Sequence, residues 1–360
     1  MTASQTETTE IQGPLAGLSD EQIEELGREF DAIRDRVRAE LGDRDRRYIE
    51  SMIEMHRRLA VISRVLLLAA NNRPARLAGT AANSAAKILE NMEIGHNVLH
   101  GQWDWMNDPR IHSSTWDWDT ASTAEAWKHS HNYIHHTFTN IRGKDKDLGY
   151  EIMRIDPEQK WHPVYLLQPF YNLVLAAFFE WGVAFHDLDF EAIRKGEKSK
   201  RQVKRELAGI REKAKSQIVK DYIAWPLLSA MVAAGVDYTV GHALRERGLG
   251  RVAKAKRRIK RTELSRSARA LDTGRRTFKA TAAADAASNV VRNLWAYSII
   301  FCGHFPDQTY VFTQEEVRDE TPGGRYVRQL LGAANIEGSP FFHVMSGNLG
   351  YQVEHHLYPD

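Results

Sequence analysis

Along this chain apolar positions recur mainly at helical spacing, and no apolar run of spanning length is free of polar interruption. Residues 18–58 pattern as an acidic amphipathic helical region, with Ser19-Asp20-Glu21-Gln22 offering a capped start. "LAVISRVLLLAA" (59–70) continues as an apolar helix until Asn71, Asn72 and Pro74 stop it, and a second helix is expected over about 80–100. The Trp- and Asp-rich stretch "GQWDWMNDPRIHSSTWDWDT" (101–120) predicts a structured loop. Helical patterning resumes near 122 and runs through 131–136. Three more apolar segments follow at 164–186, 222–236 and 293–303, the first two separated by a charged, solvated helix over 188–221. Strand alternation and internal repeats are absent, so the chain reads as all-α.

Hydropathy alone favours buried core helices in a soluble protein. Mean hydropathy is −0.48, and no window reaches the run of roughly 18 uncharged apolar residues that marks a spanning helix. The longest candidate, 164–186, is interrupted by Gln168, Asn172 and Glu180. Net charge is only +2 over 360 residues, but it is segregated: Arg245 to Lys279 carries 14 Lys/Arg against Glu246, Glu263 and Asp272. That segment reads as a solvated helix or excursion, with an anionic lipid surface as its functional alternative. It has no stacking aromatic before Phe278, which argues against nucleic acid. A single cysteine, Cys302, excludes an intramolecular disulfide and fits a reducing compartment. "MTASQTETTE" offers neither a basic nor an apolar leader region, so no cleaved signal peptide is expected.

The histidines change this picture. "HNVLH" (96–100), "HNYIHH" (131–136) and "QVEHH" (352–356) hold seven of the 15 histidines. His96 and His100 are four apart, as are His131 and His135, so each pair leaves one helix face. His136 is turned by about 100° from His135, and His355–His356 repeats that adjacency. A lone histidine on an apolar face is usually a satisfied core residue, whereas three clusters of them point to metal. Imidazole suits Zn, Cu, Fe and Ni alike. Seven or eight imidazoles exceed the four of one tetrahedral zinc and suit two ions. Glu93, Asp104, Asp145, Asp147 and Glu354 stand near enough in sequence to orient the rings.

These stretches resemble the three histidine boxes of the membrane fatty acid desaturases, and most of all the bacterial acyl-CoA type. The flanks "ENMEIGHNVLHGQWDWMNDP", "NLWAYSIIFCGHFPD" and "SGNLGYQVEHHLYPD" share the resemblance, which covers about 20–225 and 285–360. It implies an integral-membrane helical bundle of about four spanning helices beneath a cytosolic helical cap. The cap would carry two Fe ions, with O2 as co-substrate, and insert a double bond into a fatty acyl chain. Residue by residue, the implied ligands are His96, His100, His131, His135, His136, His355 and His356, with His304 of "CGHFPD" as an eighth. Gln352 stands where other members carry a histidine and is assigned to the surrounding shell with Glu93, Asp104, Asp145, Glu354 and Asn348, the last as a holder of water. Trp103, Trp105, Trp116 and Trp118 are candidate walls of an acyl tunnel. The remaining histidines, His186 among them, take the structural reading.

The implied division is an acidic N-terminal cytosolic helical region (1–58) and a desaturase domain (59–360) with a basic insertion at about 237–277, ending just after the third box. The implied partners are a fatty acyl-CoA or acyl-lipid substrate, membrane lipids and an external electron donor. No nicotinamide or flavin fingerprint and no fused haem motif is present, so an iron–sulfur or flavin reductase, or a cytochrome b5-like protein, would supply electrons. Two segments that should span, "RLAGTAANSAAKILENM" and "FKATAAADAASNVVRN", carry charged and polar residues. Either those residues point inward or the protein is a soluble form of the fold. Two alternatives stay open: a di-iron lipid or alkane hydroxylase on the same fold, and a metal-binding but inactive helical protein.

Overall fold

The computed structural model describes residues 17–246, 266–307 and 309–360. Among these residues the protein is all helical, with a single isolated bridge between Ile141 and Phe312. Residues 1–16 and the central part of the expected basic insertion lie outside the described residues.

α1 (Asp20–Ala39) starts as the sequence predicts: Ser19 accepts from the Gln22 amide, and the Gln22 side chain accepts from the Ser19 amide. The apolar stretch at 59 does not begin a new helix. It completes α2 (Asp43–Leu67), which turns at 68–72 into α3 (Arg73–Ile88), capped by Asn72. The charged stretch at 200 likewise runs on into the apolar one: α7 (Lys200–Ile218) passes through a π turn (Val219–Ala224) into α8 (Trp225–Glu246). α9 (Arg266–His304) runs alongside α8 and α3, and α2 pairs with α3. Of the described helices one, Lys200–Val240, is long and apolar enough to cross a membrane.

The expected span at 164–186 is broken. Phe178 leaves helical geometry at ψ 30°, separating α5 (Gln168–Ala177) from α6 (Phe179–His186). Ten and eight residues reach about 15 and 12 Å at 1.5 Å per residue, well short of the ~30 Å hydrocarbon core.

Most polar residues of the two soft segments point inward, with Lys279 exposed and Arg76 half-buried. Asp285 accepts from Arg64 and Asn83, at 2.6 and 2.9 Å, and Asp221 accepts from Lys87 at 2.9 Å. Arg292, 1% exposed, pairs with Glu180, which also accepts from Gln217 at 2.7 Å. The outer faces carry the apolar residues instead: Val61, Val65, Met231, Val236, Val291 and Leu294 are all exposed. Paired charges inside with apolar side chains outside are the distribution favoured by an apolar surrounding.

The cap above this bundle is held by close backbone approaches. Gly347 sits at φ +68°, and a β-carbon there would lie 2.4 Å from the Met92 carbonyl oxygen. Gly347→Ala therefore combines left-handed strain with a clash, and a loss of at least about 2 kcal/mol is expected. Thermal unfolding in detergent checks this; an unchanged midpoint would contradict it.

Candidate metal centre

The first histidine motif and His304 sit at the ends of bundle helices, and the other two motifs on short helices of the cap. The first follows α3, which continues as a π turn (Leu89–His96) before one last α turn, Asn97–Leu99. The second follows α4 (Ala124–Trp127) in another π turn, Lys128–His135. π turns are rare and concentrate at functional sites; the wider spacing replaces the α spacing within the second motif, whereas His100 donates its amide to the His96 carbonyl at 3.0 Å and keeps the α spacing in the first. The pairs still converge, with ring centroids 4.6 Å apart for His96–His100 and 5.2 Å for His131–His135. Gly95 lets the first turn close, since a β-carbon there would lie 2.7 Å from the Glu90 carbonyl oxygen. His304 ends α9, and the third motif forms α11 (Gln352–Leu357), which packs on α10 (Pro322–Gly332).

All eight histidines meet in one buried knot. Donor atoms of His96, His100, His131 and His355 lie within 4.8 Å of one another, and those of His135, His304 and His356 form a second group under the same limit. His136 stands between the groups, its ring 4.8 Å from His100, 4.9 Å from His355 and 4.7 Å from His356.

The outward ring nitrogens are held by acceptors. His135 Nδ1 lies 3.0 Å from Asp145, His131 Nδ1 3.4 Å from Asp147, His304 Nδ1 2.7 Å from the Ile300 carbonyl and His356 Nδ1 3.2 Å from Gln329 Oε1. A proton fixed at Nδ1 leaves the Nε2 lone pair free to face inward. Apart from His304 Nε2, which Gln352 Nε2 approaches at 3.3 Å, the inward atoms face one another or no partner at all. His135 Nε2 and His304 Nε2 are 3.0 Å apart, as are His304 Nε2 and His356 Nε2 at 3.1 Å. His100 Nε2, His131 Nε2 and both nitrogens of His136 are buried without a hydrogen-bond partner. Converging, unsatisfied imidazole lone pairs suit cations, so the residues fit a metal centre.

Burial, with the neighbouring imidazoles, holds His136, His355 and His356 well below the usual histidine range, hence neutral and able to ligate. His135 goes the other way: burial lowers it, but Asp145 and Asp147 outweigh that and raise it. Asp147 lies well below the usual carboxylate range; burial opposes this, and the His135 charge with hydrogen bonds to His131 and His186 prevails.

The other expected residues divide. Glu93, fully buried, accepts from Tyr48 at 2.6 Å and from Asn348 at 3.1 Å, which points Asn348 at a carboxylate. Gln352 Nε2 is 3.3 Å from His304. Asp104 accepts from Ser113 and shapes the 101–120 loop, while Glu354 is exposed and accepts from Asn335. Neither touches a ring of the knot. His129 is exposed. Three contributors escaped sequence reading. Trp127 stacks on His131 at 4.5 Å, Gln329 holds His356, and His186 donates to Asp147 across 2.9 Å. Only "HNYIHH" beside Trp127 gave any local signal; the other two arrive from distant helices.

A cavity of about 80 Å³ adjoins the knot, lined by His96, His131, Trp127, Phe179, Val183 and Ile300 among others. Trp118 and Thr120 line both it and a wider, more open cavity of about 1150 Å³ between α2, α3 and α7. Of the four expected tunnel tryptophans, Trp118 and Trp116 line cavities, Trp103 packs into a separate core with Ile49, Ile94 and Val98, and the half-buried Trp105 lines neither cavity.

The sequence profile of the fatty acid desaturase family matches residues 77–360. An NADPH-dependent stearoyl-CoA 9-desaturase of Mycobacterium tuberculosis is 41% identical over 346 residues, covering 96% of this chain and 71% of its own. The chain belongs to the fatty acid desaturase family. An sn-1 linoleoyl-lipid 6-desaturase of Synechocystis is 33% identical over 114 residues, 30% of this chain and 31% of its own; one from Arthrospira platensis is 35% identical over 78 residues, 20% of each. No solved structure matches the chain.

Proposed function

We propose that this fatty acyl desaturase works through a di-iron centre held by His96, His100, His131, His135, His136, His304, His355 and His356. The carrying observation is the convergence of buried ring nitrogens in two groups with His136 between them, those of His100, His131 and His136 without a hydrogen-bond partner. When bound, the two irons would supply the oxidising power that, with O2 and two electrons, removes two hydrogens from an unactivated acyl chain. The protein's own residues do the rest. Asp145, Asp147, Gln329 and the Ile300 carbonyl fix the tautomers and aim the rings. Trp127 and Trp118 wall the cavity beside His96 and His131, where a short stretch of an acyl chain can lie out of water.

The bundle is read as embedded in a membrane, with α2, α3, the continuous α7–α8 and α9 as its four spanning helices and the histidine knot at their cytosolic ends. Inward-facing charges and outward-facing apolar residues support this. The substrate is an acyl-CoA, by similarity to the mycobacterial stearoyl-CoA desaturase, with an acyl lipid as the second candidate. The reductant comes from outside the chain through an NADPH-dependent reductase, again by that similarity.

The purified protein in detergent, given stearoyl-CoA, O2 and an NADPH–reductase system, is expected to yield a monounsaturated acyl chain without retained oxygen. Hydroxylated product would favour the hydroxylase alternative, and NADPH oxidation without acyl change would sink the reading. Asp145→Asn keeps the shape of the His135 partner but weakens its acceptor. A loss of about 10–100-fold in metal affinity or turnover is expected, measured by metal titration of the refilled protein; wild-type affinity would deny Asp145 this role.

A further inference from the structure

The segment that proved too short to span has its own outer face. From Trp161 to Phe179 there is no Asp, Glu, Lys or Arg, and within it Leu166, Leu167, Phe170, Leu173, Val174 and Phe178 are 57–71% exposed. A helix on a water-facing surface carries charges on its outer side, and so continuous an apolar patch marks a contact. The inner side of α5 is attached to the bundle: Asn172 bonds the Tyr297 hydroxyl, and Asn293 donates to the Ala177 carbonyl at 3.0 Å, both partners being on α9. The outward face of α9 is itself apolar at Val290, Val291 and Leu294, so α5 joins the face through which the bundle meets lipid. Trp161, 56% exposed, stands at the start of the apolar stretch beside exposed Lys160 and His162, and exposed Arg194 follows α6. Interfacial aromatics with flanking basic residues match an anionic leaflet.

We propose that the turn at Pro163–Leu167 and α5 form an interfacial helix that lies flat in the headgroup region of an anionic phospholipid leaflet. About 22 Å of helical length fits that plane. α6 follows directly after Phe178 and gives Phe179, Val183 and His186 to the cavity beside the histidine knot. Docking of α5 on the leaflet therefore sets one wall of that cavity at the membrane surface. The proposal rests on the membrane reading above.

The test uses the full chain in nanodiscs of phosphatidylcholine and phosphatidylglycerol. In a Cys302→Ser background, an environment-sensitive fluorophore is attached at Phe170→Cys, Leu173→Cys, Met231→Cys or Glu125→Cys, and brominated phospholipids serve as quencher. Quenching is expected at 170 and 173 as well as at 231 on the candidate span, with none at 125. Quenching at 231 but not at 170 or 173 overturns the interfacial helix while leaving the spanning bundle intact, and assigns the patch to a protein partner or a second copy. Absence of quenching at all four sites overturns both readings. Metal content of each labelled variant, compared with the unlabelled protein, reports whether the fold survived. A pair of variants that lose metal is replaced by Leu166→Cys and Val174→Cys on the same face.

Discussion

His136→Ala is expected to abolish desaturation while leaving the fold in place. His136 is the ring between the two histidine groups, and both of its nitrogens are buried without a hydrogen-bond partner. Removing it breaks no hydrogen bond, so folding loses chiefly the packing of one ring, and the deeper loss falls on whatever the ring binds. The effect should exceed the ~10–100-fold that an outer partner of a ligand is worth. Turnover with stearoyl-CoA and circular dichroism of the same sample check it: normal helicity with turnover below about a hundredth of wild type is expected. Turnover near wild type would remove His136 from the centre and leave it a packing residue.

Glu180→Ala is expected to be the most destabilising change outside the knot. Arg292 is 1% exposed and pairs with Glu180, and its other acceptors are the Asn293 side chain and the Asp119 carbonyl. Cutting the carboxylate leaves a buried guanidinium without its ion-pair partner and strands Gln217 as well. Breaking a buried pair from one side costs about 3–5 kcal/mol, while replacing both partners by apolar residues of similar volume is often neutral. Glu180→Leu/Arg292→Met should therefore recover much of the loss. Thermal unfolding of the single and double variants decides it. A double variant as unstable as Glu180→Ala would show that Arg292 matters for its bonds to Asn293 and Asp119 more than for its charge.

Seven of the eight histidines of the knot were legible in the sequence because ligand spacing is local: four-residue separations and adjacent pairs survive even when an α turn becomes a π turn. His304 was legible only through the family resemblance, since it stands alone at the end of α9. Asp147 could be listed from proximity, but its link to His186 joins two chain segments 39 residues apart, which no local pattern reveals. Gln329 and its partner His356 are 27 residues apart and on different helices. Asp104 and Glu354 show the converse: each is adjacent to a motif, yet its carboxylate is taken by another partner, Ser113 or Asn335.

The fold was legible to a similar depth. Capping at Ser19 and the break at Asn71–Pro74 are decided by a few neighbouring residues, and both stand. The span expected at 164–186 failed because composition does not register the bend at Phe178. Low mean hydropathy could not separate an inward-facing charge from a solvated one. Asp221 and Asp285 lie on helices far from Lys87 and Arg64 in sequence, and their pairing is visible only in three dimensions.

Metal analysis of the full chain, expressed in iron-replete cells and purified in detergent, tests the central claim most directly. The arrangement of eight converging imidazoles predicts about two irons per chain, four ligands to each, lost in a His135→Ala/His136→Ala variant that keeps its helicity. Zinc in place of iron, or a folded protein that holds no metal after iron loading, would contradict a di-iron centre at this site.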